Sequence, residues 1–76
     1  MILPTKHLSP SRSLLGVGGI LLNELHQPLT VSDLWERVRS RPDVTTFDRF
    51  VLGLDLIFMM GLIHLDEGYL KRREID

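Results

Sequence analysis

FDRFVLGLDLIFMMGLIHLDEGYLKRR, residues 47–73, decides how this chain is read. Its first half is apolar on nearly every helical side, and residues 50–63 contain one carboxylate, Asp55. A helix is predicted from Phe47 to about Gly61, where glycine suits a left-handed cap. Thr45, three residues before Asp48, opens it with the spacing of a capping box. Beyond Gly61 come two short runs, IHL and YLKRR, joined by DEG. That pattern predicts a β-hairpin pairing Ile63–Leu65 with Tyr69–Arg72.

Working back along the chain, TVSDLWERVRSR predicts a second helix that Pro42 closes. Thr30 or Ser32 caps it, and Leu34, Trp35 and Val38 form its apolar stripe. Trp35 reads as a core anchor. A first helix opens at Ser9-Pro10, a serine cap followed by proline at the first helical position. It carries Leu14, Leu15, Ile20, Leu21, Leu22 and Leu25 and stops before Gln27-Pro28. Three glycines, Gly16, Gly18 and Gly19, weaken it by about 1 kcal/mol each relative to alanine. Close approach of a neighbouring helix is the reading for GVGG, because no Gly-Lys-Ser/Thr follows and Leu21 stands where a dinucleotide fingerprint needs glycine.

The expected fold is mostly α with a small β-hairpin: three helices followed by a C-terminal wing, winged-helix-like. A short strand near Leu29–Val31 completes the sheet. Residues 1–8 read as an extended N-terminal arm, kept from helix by Pro4. Residues 9–73 form a single domain, and 74–76 are a frayed tail.

At 76 residues the chain is near the lower size for independent folding, so help from a partner is expected. Without cysteine it has neither disulfides nor thiolate metal sites, which fits a cytoplasmic location. MILPTKHLSPSR lacks the apolar core of a signal peptide. The run at 50–63 falls short of the ~20 apolar residues of a membrane span, so no membrane association is expected. His7, His26 and His64 show no metal-site spacing, and no nucleophile–base pattern stands out. We expect no metal, no cofactor and no catalysis.

In a DNA-binding winged helix, the helix before the wing enters the major groove and carries polar or basic side chains outward. Here Phe47, Phe50, Val51, Leu54, Phe58 and Gly61 make the expected core stripe. The rest of the helix bears Asp48 and Asp55 among Leu52, Leu56, Met59 and Met60, a surface hostile to phosphate. Two readings remain for that second apolar face: more core, or a surface for a protein partner. With the arm residues Ile2, Leu3 and Leu8, these four apolar residues are the candidate protein interface. Candidate nucleic-acid contacts are Arg37, Arg41, Lys71, Arg72 and Arg73, with Arg39 nearby. A net charge of −1 favours a solvated, balanced role for them. The alternative function is a winged-helix DNA-binding transcriptional regulator. A homodimer hiding the third helix is a further option.

MILPTKHLSPSRSLLGVG, TVSDLWERV and TFDRFVLGLDLIFMMGLI ending in GYLKRR together resemble the middle component, type 6, of bacterial ABC-three-component (ABC-3C) systems. The resemblance covers nearly the whole chain. It implies a non-catalytic adaptor in an anti-phage or anti-plasmid defence complex, linking an SMC/RecN-like ABC ATPase to an effector protein. Any contact with DNA is then confined to the complex. No site residue is implied by the resemblance.

Overall fold

A computed structural model describes residues 13–73. Within them lie α1 (Leu14–Glu24), α2 (Val31–Val38), α3 (Phe47–Met59), β1 (Ile63–Asp66) and β2 (Tyr69–Arg72). This is the expected layout of three helices and a C-terminal hairpin. The arm and the frayed tail lie outside the described residues.

Local chemistry accounts for most element ends. Ser13 Oγ accepts from the Gly16 amide at 3.0 Å and caps α1 at Leu14, while the expected opening at Ser9-Pro10 lies outside the described residues. Thr30 Oγ1, not Ser32, caps α2 by accepting from the Asp33 amide at 3.1 Å. The helix ends at Val38, short of Arg41, and the chain turns from there to Val44. The opening of α3 corrects the expectation at Thr45. Thr46, extended at φ −129°, accepts from the Arg49 amide at 3.2 Å, while Thr45 sits at φ 60°. An N-cap needs extended backbone, which the left-handed Thr45 cannot supply. At the far end Gly61 has φ +74°, the left-handed conformation expected of it.

The hairpin pairs Ile63 with Arg72 and Asp66 with Tyr69, one residue longer than predicted on β1. Glu67 and Gly68 form its two-residue loop with φ of 52° and 87°, both positive as a type I′ turn requires. The expected strand between α1 and α2 contracts to one residue. Leu29 and Leu70 exchange backbone hydrogen bonds of 3.2 and 2.7 Å, giving the order Leu29–β2–β1. Thr30 and Val31 are already committed to the cap and first turn of α2.

The core contains Val17, Leu21, Leu25, Leu29, Leu34, Val38, Val44, Phe50, Leu54, Ile57, Ile63 and Leu70. On α3 the buried line is Phe50, Gly53, Leu54 and Ile57. The predicted stripe is therefore rotated: Phe47 and Gly61 are exposed, Val51 and Phe58 are half-buried, and Ile57 faces inward. The cause lies at the crossing of α1 and α3. A Cβ on Gly53 would lie 2.5 Å from Val17 Cγ1 and 3.3 Å from the Gly18 amide nitrogen. One on Gly18 would lie 2.8 Å from Ile57 Cγ2. Two glycines thus let the backbones close on each other, as GVGG suggested, and the crossing turns Gly53 and Ile57 toward α1.

On the outer face of the hairpin Lys71 Nζ donates to Asp66 Oδ2 at 2.9 Å. That hydrogen bond, and then the lysine's charge, hold the Asp66 carboxyl below its ordinary 3.8. Its stabilising effect is present above that value and is lost as pH falls through the folded pKa. We expect a proton-detected NMR titration of Asp66 to give a midpoint below 3.8, and Lys71→Met to move it upward. An unchanged midpoint in the variant would remove Lys71 as the cause.

Candidate protein-docking face

Leu52, Leu56, Met59 and Met60 recur at i, i+4, i+7 and i+8 of the third helix and its cap, so they share one side of it. Leu52 and Met59 point away from the buried line, while Leu56 and Met60 lie on its flank nearest Gly53. Leu52 is 50% exposed, Met59 82% and Met60 52%, while Leu56 is partly covered. Of the two readings for this second apolar face, the described packing leaves it outside the core. The acids Asp48 and Asp55, both exposed, border it. Arg49, the one cation of α3, is half-buried and donates to the Asp43 carbonyl at 3.4 Å, toward the preceding loop. The helix that would enter a major groove therefore offers methionine, leucine and carboxylate outward. Neither recognition of base edges nor phosphate contact follows from those groups.

Ile2, Leu3 and Leu8 lie outside the described residues. The candidate nucleic-acid contacts lie on three parts of the chain: Arg37 on α2, Arg41 in the turn after it, and Lys71, Arg72 and Arg73 on and just after β2. Arg37 reaches Glu24 of α1 at 3.9 Å, and Lys71 is engaged by Asp66. Lys71 and Arg72 are successive strand residues and so face opposite sides of the hairpin. Arg41 lies in the turn after α2. Arg39 pairs with Glu36 at 3.2 Å and its guanidinium sits 5.7 Å from the centre of the Trp35 ring.

Further exposed apolar residues escaped the sequence reading, Leu65 of β1 at 57% and Tyr69 of β2 at 46% among them. Leu15 of α1 is 62% exposed and Phe47 of α3 is 50% exposed. Phe47 still meets Trp35 edge-on, with ring centres 5.1 Å apart. A signal for Leu15 was present: it lies three residues before Gly18, beside the contact rather than on the buried side.

The fold and this face define a small winged-helix-like domain whose third helix is apolar on its outward side. Its hairpin follows that helix and packs back on Leu29. The chain belongs to the family of the ABC-three component (ABC-3C) system Middle Component 6, whose model matches residues 3–74. No curated protein and no solved structure matches it.

Proposed function

We propose that this middle component is a non-catalytic, cytoplasmic adaptor that joins an SMC/RecN-like ABC ATPase to an effector protein in an anti-phage or anti-plasmid defence complex. One observation carries the reading: Leu52, Met59 and Met60 are at least half exposed on the helix that a DNA-binding relative of this layout would use for DNA. Single exposed apolar residues are ordinary on a protein surface, but a contiguous set on one helix face marks an interaction surface. Membership of a family named for its place in a three-component system supplies the kind of partner. The apolar arm residues Ile2, Leu3 and Leu8 belong to the same proposal, as an extended segment that adds to a partner's surface.

The test is co-expression of the tagged chain with the other two components of its system, followed by nuclease treatment and affinity recovery. Wild type is expected to bring down at least one of them. Leu52→Lys with Met59→Lys should lower that affinity about 30-fold, the loss of contacts worth ~2 kcal/mol at the centre of an interface. Both side chains are outside the core, so thermal stability should stay within ~0.5 kcal/mol of wild type. Equal recovery by the folded double variant would sink the assignment to α3. Salt-dependent duplex binding lost on neutralising Arg72 and Arg73 would favour the regulator instead.

A further inference from the structure

We infer that the docking face is a two-helix trough, and that its occupant is a basic amphipathic helix of the partner protein laid along α3. This rests on the adaptor reading and specifies what it binds. At 3.6 residues per turn, Leu15 and Leu22 both lie within about 60° of Gly18 around α1. Val17, Leu21 and Leu25 occupy the opposite flank, in the core. On α3, Leu56 and Met60 lie within about 60° of Gly53, and Leu52 about 100° from it, all on one flank. Phe50, Leu54 and Ile57 take the other flank, again in the core. Because Gly18 and Gly53 put no side chain between the backbones, Leu15 of α1 and Leu52, Leu56 and Met60 of α3 rise on either side of the crossing, while Leu22 is half-buried and packs against the core. The exposed face thus continues from α3 onto α1 through Leu15.

The occupant follows from what the trough offers. Its floor and walls belong to helices whose interior amides and carbonyls are already bonded, so an added strand would find no free backbone edge. An apolar stripe at i, i+3, i+4 and i+7 fits such a trough. Asp48 and Asp55 lie seven residues, about 10 Å, apart along its outer margin. Among the described residues neither carboxylate has an ion-pair partner. They call for lysine or arginine at similar spacing on the occupant. A second copy of this chain meets that demand badly, since its own α3 presents the same two acids. The span from Asp48 to Met60 accommodates an occupant of about 12 residues, some 18 Å long.

The test places a photo-crosslinking residue, p-benzoylphenylalanine, at Leu15 or at Met59 of the full chain, co-expressed with the other two components. Both positions are expected to crosslink into one partner segment that is helical and bears Lys or Arg about seven residues apart. Asp48→Lys with Asp55→Lys should weaken the complex about tenfold at low salt, with a smaller loss as salt rises. Reversing the crosslinked partner cations to Glu should restore it. Crosslinks to separate segments, to a strand, to an acidic helix or to a second copy of this chain overturn the trough. So does a complex indifferent to the Asp48 and Asp55 reversals. If wild type recovers neither component, the adaptor reading itself fails, which separates the two conclusions.

Discussion

Gly53→Leu is expected to leave the chain largely unfolded at 25 °C. A domain of 76 residues has roughly 4–11 kcal/mol of stability at ~0.05–0.15 kcal/mol per residue. Even a single Cβ at this position would lie 2.5 Å from the Cγ1 of a fully buried Val17. The remaining leucine atoms have no space unless α1 moves away from α3. Ordinary overpacking costs about 1–3 kcal/mol, because neighbours rearrange locally. Here the obstacle includes the Gly18 backbone, so the rearrangement is separation of two helices. That exposes Val17 and Leu21, whose burial contributes ~1.5–3 kcal/mol each. Gly19→Ala is the control. Nothing lies within 4 Å of a Cβ there, and the substitution should stabilise by about 1 kcal/mol through helix propensity. Far-UV circular dichroism and urea titration of the three chains check both signs. A folded Gly53→Leu with wild-type midpoint would mean that the helices do not close at this point.

Phe50→Ala is the second large effect, with an expected loss of ~3–5 kcal/mol. Phe50 is wholly buried and is the largest fully buried side chain. Its ring centre is 5.2 Å from that of Trp35 and 5.6 Å from that of Phe47, linking the inner face of α3 to α2. Removing it leaves a ring-sized cavity between the two helices and takes away aromatic contacts worth ~0.5–1.5 kcal/mol each. Phe47, half exposed on the rim of the same cluster, should cost only about 1 kcal/mol on truncation. In urea the Phe50 variant's midpoint should fall far more than the Phe47 variant's, with slopes alike. Equal shifts would show that the two rings share the burial evenly, against the rotation of α3 described above.

That rotation marks where the sequence stopped being enough. A cap at Thr30 or Ser32, the left-handed Gly61 and a hairpin turn ending in glycine were all readable, because each depends on residues within a few positions. The winged-helix-like order followed from them. The cap at Thr46 was missed by one residue: two threonines stand side by side, and the left-handed turn at Thr45 decides between them. For the docking face, Leu52, Leu56, Met59 and Met60 could be grouped from their spacing alone. Leu15 could not be joined to them, since it lies on another helix.

By itself, then, the sequence determined the elements, their order, and the presence of two apolar faces on the third helix. Hydrophobic periodicity and capping chemistry act locally, so both leave a legible trace in the order of residues. Which face turns inward was decided by the tertiary structure. The choice depends on where two backbones can touch, and that contact joins Gly18 to Gly53 across 35 positions of sequence. Once those glycines meet, Ile57 must enter the core and Met59 must face away from it.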